Sequence, residues 1–331
     1  MSGADTRAET RILVVRLGSM GDIIHTLPAV ATLKHSFPGC RLSWVVEPQW
    51  SELLEGNPFI DRLVALNRCS VAGWRESWRE LRREQYDFGV DFQGLIKSAL
   101  AATIARPERI FGFHYSQVRE KLAALFYSTQ ERARAVHVVE RNLMLAAAAG
   151  ATSLLRAFPL PEGRPSAPLP DRRFVLASPF AGWGAKQWPL EHYATLAKRL
   201  NRECGMPLVL NGPPGKRPEL AAIPGVDIHI SGLSGLIDAT RRATAIIGVD
   251  SGPLHLAAAL GCRGVAIFGP TDPARNGPFG GDFTVLRSPR AVTTYQRVAE
   301  NAWMREISPD MVFAALADRL ARRPEQTGHV A

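Results

Sequence analysis

The residues able to do chemistry gather at turns that follow apolar, β-branched runs. Asp22 stands in Arg16-Leu-Gly-Ser-Met-Gly-Asp-Ile-Ile-His25, directly after Ile12-Leu-Val-Val15. Asp is a good helix N-cap, and Gly18 and Gly21 suit a tight turn, so a capping role and a chemical one are both open. A second small-residue turn, Gly248-Val-Asp-Ser-Gly-Pro-Leu-His-Leu-Ala-Ala-Ala259, again joins an apolar run to a helix. Here Asp250, Ser251 and Gly252 set backbone N–H groups at a helix start, which suits a diphosphate, and Pro253 fits the first turn. His255 reads either as a core histidine or as part of that site. Lys186, in Gly184-Ala-Lys-Gln-Trp-Pro189, precedes another helix. A lone loop lysine is usually only solvated; beside a diphosphate turn it is a candidate phosphate partner.

Arginines make a third group. Arg68, Arg75, Arg79, Arg82 and Arg83 fall close together, and residues 74–85 read as a helix. Spacing puts Arg75, Arg79 and Arg82 on one face and Trp74, Trp78 and Leu81 on another. The plain reading is a solvated helix face. Arg in place of Lys, with Trp alongside, favours binding phosphates at a membrane surface. No nucleic-acid-binding signature accompanies the run, so nucleic acid is not an expected partner.

The elements that position these residues alternate in type. Apolar runs at 11–16, 42–46, 62–66 and 87–92 are separated by amphipathic segments. Residues 157–170 hold Pro159, Pro161, Pro165, Pro168 and Pro170 and read as a linker. Alternation then restarts, with runs at 174–177, 208–210, 226–230, 245–249 and 265–268, and helices near 189–203, 234–243 and 253–260. A last helix begins at Ser308-Pro309-Asp310 and runs to about Arg322, before a tail expected to lack fixed structure. The expected fold is α/β: two Rossmann-like domains, 1–156 and 173–331, joined by the linker 157–172, with parallel sheets facing a cleft. The terminal helix is free, on this reading, to pack back on the first domain.

Totals agree with this. The 331 residues are 46% hydrophobic and 21% charged, with a net charge of +9 that calls for an anionic partner. The polar first ten residues do not read as a secretory signal, and no apolar run is long enough to span a bilayer. Cys40, Cys69, Cys204 and Cys262 are scattered, which indicates neither a zinc site nor a disulfide framework. No Asp, His or Cys cluster has ligand spacing beside the diphosphate turn, so no metal is expected. A cytoplasmic protein is the expectation.

The motifs Arg16-Leu-Gly-Ser-Met-Gly-Asp-Ile-Ile-His-Thr-Leu-Pro28, Lys186-Gln-Trp-Pro189, Asp250-Ser-Gly-Pro-Leu-His255 and Phe268-Gly-Pro-Thr-Asp-Pro273 occur in this order. Together they resemble the ADP-heptose:lipopolysaccharide heptosyltransferases of glycosyltransferase family 9, over residues 10 to 320. Asp91-Phe-Gln-Gly-Leu-Ile-Lys-Ser98 and Arg119-Glu-Lys-Leu-Ala-Ala-Leu-Phe-Tyr127 look most like the heptosyltransferase I branch, which adds the first heptose to Kdo-lipid A. Two stretches depart from the family pattern: Asn211-Gly-Pro-Pro-Gly-Lys216 delays an acidic residue to Glu219, and Phe180-Ala-Gly-Trp-Gly184 replaces hydroxyl residues before the lysine.

The resemblance implies a GT-B fold, with an acceptor-binding first domain and a nucleotide-sugar-binding second. It implies inverting, metal-independent transfer from ADP-heptose to Kdo-lipid A, at the cytoplasmic face of the inner membrane and in peripheral contact with anionic lipid. Asp22 matches the catalytic base. Lys186, Asp250, Ser251, Gly252 and His255, with Ser19 and Gly21, are assigned to the donor; Arg68, Arg75, Arg79, Lys97 and Arg119 to the acceptor. Rival readings are another sugar-nucleotide glycosyltransferase of the same family, a GT-B-like nucleotide-sugar epimerase, and a non-catalytic module for anionic lipids.

Overall fold

A computed structural model of the chain describes residues 9–296 and 302–322. The tail beyond Arg322 lies outside the described residues. Two compact units divide the chain at Pro161 and Glu162, within the proline-rich stretch.

The first unit runs β1 (Arg11–Val15), α1 (Met20–Ile24), α2 (Leu27–Ser36), β2 (Arg41–Val46), β3 (Arg62–Ala65), α3 (Val71–Leu81), β4 (Phe88–Asp91), α4 (Ile96–Ile104), β5 (Arg109–Phe113), β6 (Thr129–Glu131) and α5 (Val138–Ala148). Its sheet has the order β3-β2-β1-β4-β5-β6, with every pairing parallel. Residues 12–15 of β1 are fully buried because helices cover both faces of the sheet. On one face, Leu81 of α3, Ala99 and Ala102 of α4, and Ala123 and Ala124 of the 3-10 turn Lys121–Phe126 pack over Leu13, Val15 and Val64. Helices α2 and α5 pack together on the other. That division follows from right-handed crossovers: the chain steps one way from β1 to β3 and the other way from β4 to β6. Truncating Leu13 to Ala would cost about 2–5 kcal/mol.

The second unit runs β7 (Val175–Ser178), α6 (Leu190–Cys204), β8 (Leu208–Gly212), α7 (Arg217–Ala221), β9 (Asp227–Ile230), α8 (Leu233–Arg242), β10 (Ala245–Val249), α9 (Gly252–Ala259), β11 (Arg263–Phe268), α10 (Pro273–Asn276), β12 (Asp282–Arg287), α11 (Ala302–Arg305) and α12 (Pro309–Ala321). Its order, β12-β11-β10-β7-β8-β9, is the same topology read from the other edge. In each sheet the strand order reverses between the first and fourth strands, β1 and β4 or β7 and β10. Ligands of open parallel sheets meet the carboxyl ends of the strands at such a switch point.

Three strands escape the sequence reading. In β5, Gly112 breaks the apolar run; a Cβ there would lie 2.2 Å from the Tyr127 ring, so glycine makes room for that ring. Strands β6 and β12 are sheet edges with partly exposed faces and lack a continuous apolar run. Helix α12 begins at its Ser308 cap as expected, and its apolar face packs on α6, β11 and β12 of the second unit. No helix among the described residues is long and apolar enough to cross a membrane.

Candidate functional site

At the switch point of the first sheet, the chain leaves β1 through residues 16–19 and turns into α1. Asp22 does act locally as a cap: its Oδ2 lies 3.2 Å from the Ser19 amide and 3.2 Å from the Ser19 hydroxyl, both of which donate to it. Its other oxygen meets Arg16, Nη2 to Oδ1 at 2.6 Å, and the Asp22 side chain stays 42% exposed. The capping geometry therefore leaves a carboxylate that solvent or a substrate can reach. Gly18 is needed for close approach: a Cβ would stand 2.8 Å from Trp50 Nε1. Gly21 is buried inside α1.

Arg16 escapes the sequence reading. It is buried, its Nη1 donates to the Phe92 carbonyl, and its own carbonyl accepts from Trp44 Nε1 at 3.0 Å. The neighbouring β4 turn holds the same loop, since Gln93 Oε1 accepts from the Leu17 amide at 2.7 Å. That turn is shaped by Asp91, whose fully buried carboxylate accepts from the Gln93 amide, the Ser98 hydroxyl and the Tyr127 hydroxyl, each at 2.8 Å. Burial pushes the Asp91 carboxyl up, against the lowering effect of these donors. The adjacency of Arg16 to the glycine turn was the one available signal; the Asp91 contacts span up to 36 residues of chain.

The five acceptor candidates do not converge on one point. Arg68 Nη2 and Lys97 Nζ both meet Glu47 Oε1, at 2.7 and 3.0 Å, beside the ends of β2, β3 and β4. Burial alone would raise the Glu47 carboxyl, but hydrogen bonds from Lys97 and Arg68 outweigh it and hold it below the ordinary range. Arg119 is exposed beyond β5. Arg75 and Arg79 are exposed on α3, which starts at a Ser70 cap and stops at Leu81, shorter at its end than the expected 74–85.

The expected division of faces on α3 is corrected in two ways. Arg82 lies past the helix, donating to the Ile104 carbonyl and stacking 5.1 Å from the Trp78 ring centroid. The buried stripe is Gly73, Ser77 and Leu81, leaving Trp74 and Trp78 on the surface. Gly73 explains this: a Cβ would lie 2.7 Å from Asn67, so the helix sits too close to the chain beneath for indole rings to fit there.

In the second unit, Asp250 follows β10 at the switch point and is 5% exposed. Lys186 Nζ stands 2.6 Å from its Oδ2, Thr271 Oγ1 donates to the same oxygen at 2.5 Å, and His255 Nε2 lies 3.5 Å from Oδ1. Burial opposes charge on Asp250, but the His255 hydrogen bond and the Lys186 cation outweigh it and hold the carboxyl far below its usual range. The Asp250 and His255 side chains are thus turned into the protein, and the Ser251 hydroxyl turns back to the Val249 carbonyl at 3.1 Å. What this turn can offer a ligand is the backbone N–H of Ser251 and Gly252 at the start of α9, since Pro253 has none and the Leu254 amide donates to the Ser251 carbonyl at 3.1 Å.

Lys186 is placed by its neighbours. Trp188 is buried, donates to the Ile307 carbonyl at 2.8 Å and meets Tyr193 edge-on at 4.8 Å. Gly269 lets the 3-10 turn Gly184–Lys186 pack close, because a Cβ there would be 3.1 Å from the Ala185 carbonyl. Trp183 covers the ammonium, with Nζ 4.6 Å from the ring centroid. Thr271, in Phe268-Gly-Pro-Thr-Asp-Pro273, is brought to Asp250 only by the fold. Among the described residues no group of three or more His, Cys, Asp or Glu is arranged to hold a metal.

Residues 74–303 match the family described as glycosyltransferase family 9 (heptosyltransferase). Lipopolysaccharide heptosyltransferase 1 of Pseudomonas aeruginosa is 30% identical over 334 positions, covering 88% of this chain and 89% of that protein. Its counterpart in Escherichia coli K12 is 29% identical over 308 positions, covering 85% and 94%. The solved E. coli heptosyltransferase WaaC with ADP-2-deoxy-2-fluoro heptose superposes with a TM-score of 0.73 at 26% identity, covering 92% of this chain and 98% of that one. A UDP-GlcNAc 2-epimerase from Methanocaldococcus jannaschii shares the fold alone, at 12% identity and a TM-score of 0.51.

Proposed function

The chain belongs to glycosyltransferase family 9, with its GT-B type of α/β fold, and from that membership we propose that it transfers heptose from ADP-heptose to the Kdo of Kdo-lipid A, with inversion and without a metal. The observation that carries the mechanism is Asp22: a reachable carboxylate, fixed on two sides, at the switch point of the first sheet. In a single displacement the acceptor hydroxyl oxygen bonds to the anomeric carbon as the bond to the diphosphate breaks. Asp22 takes the hydroxyl proton, and ADP leaves with the bonding pair.

The leaving diphosphate is met, on this reading, by Lys186 and by the backbone N–H groups of Ser251 and Gly252 at the start of α9. Because Asp250 neutralises much of the lysine's charge at 2.6 Å, the site works through oriented donors more than through net charge. Asp250, His255 and Thr271 act as positioning residues for Lys186 and the turn. Arg75, Arg79 and Arg119 are free to meet acceptor phosphates and carboxylates, while Arg68 and Lys97 reach an acceptor only by sharing it with Glu47. Work on a lipid acceptor places the enzyme peripherally at the cytoplasmic leaflet of the inner membrane.

The test is incubation with Kdo-lipid A and a panel of sugar nucleotides, read by mass spectrometry. Addition of one heptose from ADP-heptose alone supports the proposal. Another sugar would assign a different donor, and free epimerised sugar without acceptor would assign the epimerase reading.

A further inference from the structure

Helices α3 and α4 and the 3-10 turn Lys121–Phe126 form one layer, since their buried residues meet the same face of the first sheet. The opposite side of this layer is unusual. In the 3-10 turn, residues three apart eclipse, so Leu122 and Leu125 stand together, and they are 61% and 79% exposed. Their neighbours Ala123 and Ala124 take the inward positions. Trp74 and Trp78 are 37% and 44% exposed on α3. Exposed Arg75 and Arg79 flank the tryptophans, and exposed Arg119 and Lys121 flank the leucines.

A scattered exposed leucine needs no explanation, but a pair flanked by cations does. The apolar points alternate with Arg and Lys rather than merging into a continuous patch. Protein interfaces exclude lysine from an apolar core, whereas an interfacial lipid face wants this mixture, with indole and aliphatic groups at the boundary and cations at the headgroups. The turn is also held firmly: Glu120 Oε2 accepts from the Ile96 amide at 2.7 Å, and the Glu120 amide donates to the Gly94 carbonyl at 3.2 Å. An ordered turn gives up little entropy when it inserts.

We infer that this side of the α3–α4 layer seats on an anionic bilayer, with Leu122 and Leu125 entering the headgroup–acyl boundary and the flanking cations meeting lipid phosphates. The inference rests on the proposed lipid-borne acceptor; its apolar anchor, Leu122 and Leu125, is separate from the residues assigned to acceptor binding, while Arg75, Arg79 and Arg119 serve both. Turnover of an acceptor in the bilayer is then local, because the enzyme is held beside it.

The experiment is sedimentation of the full chain with vesicles of phosphatidylethanolamine and phosphatidylglycerol (3:1), against pure phosphatidylcholine. The wild type should sediment with the anionic vesicles, and Leu122→Ser/Leu125→Ser should lower partitioning by about tenfold or more. Added salt should weaken wild-type binding while leaving the leucine contribution. In parallel, both proteins should show equal turnover on an acyl-free Kdo acceptor in solution, which shows that the variant folds. Equal sedimentation of variant and wild type, or no wild-type binding to anionic vesicles, would overturn the inference. So would a wild-type dimer that the leucine changes convert to monomer, which would assign the face to a second copy. Vesicle binding without turnover would instead remove the transfer reading and leave the surface standing.

Discussion

The guanidinium of Arg16 and the carboxylate of Asp22 meet at 2.6 Å, Nη2 to Oδ1, with the arginine buried and the aspartate 42% exposed. The asymmetry matters. Arg16 is anchored from behind by the Phe92 carbonyl, so it holds the reachable carboxylate to the sheet. In the proposed role of general base, a carboxylate fixed in this way would need little reorganisation when a hydroxyl arrives.

Replacing Asp22 with Asn should therefore lower kcat by roughly 10²–10⁴, the worth of a general base, while donor affinity changes little. Steady-state kinetics with a calorimetric measurement of donor binding check this. Near-normal turnover would leave Asp22 as a cap alone.

Arg16→Lys should be nearly as informative. One ammonium cannot satisfy both Asp22 and the Phe92 carbonyl as the planar fork does. A base displaced by about 1 Å costs on the order of 10²-fold, so kcat should fall by about 10–100-fold with donor KM unchanged. A matching rise in donor KM would show that the arginine acts on the donor instead.

Lys186→Ala should reduce kcat/KM for the donor by about 10²–10³, as for loss of an oxyanion-type donor. Asp250→Asn should act through stability as well, costing about 3 kcal/mol because the half-buried Lys186 loses its counter-charge. The sign with pH is set by the depressed carboxyl: its contribution is full above the unfolded value of about 3.9 and is lost as pH falls toward the folded value. Melting of both proteins should thus show a constant gap from pH 8 to about pH 5 that narrows in acid. A gap that widened in acid would contradict this.

Activity should persist in EDTA, because Lys186 and the Ser251 and Gly252 amides are the groups assigned to the diphosphate. Loss on chelation with rescue by magnesium or manganese would sink that assignment.

Arg75→Gln with Arg79→Gln should raise acceptor KM and flatten its dependence on salt, leaving donor KM alone. Unchanged acceptor kinetics would return α3 to a solvated face and shift acceptor binding to Arg119 and its neighbours.

The alternation of apolar runs, the glycine turns and the proline-rich stretch were enough to place two parallel α/β units, because local periodicity and turn chemistry are encoded in neighbouring residues. The segments after the strands that carry Asp22, Lys186 and Asp250 were legible for the same reason. Local pattern was silent where contacts run between distant segments. Nothing near Gly112 foretells the Tyr127 ring that it admits. Only the folded sheets decided that Arg16 would hold Asp22 and that Thr271, Lys186 and His255 would share one buried carboxylate. Parallel strands bring together residues far apart in sequence, and the charge each side chain presents is set by the partners it meets there.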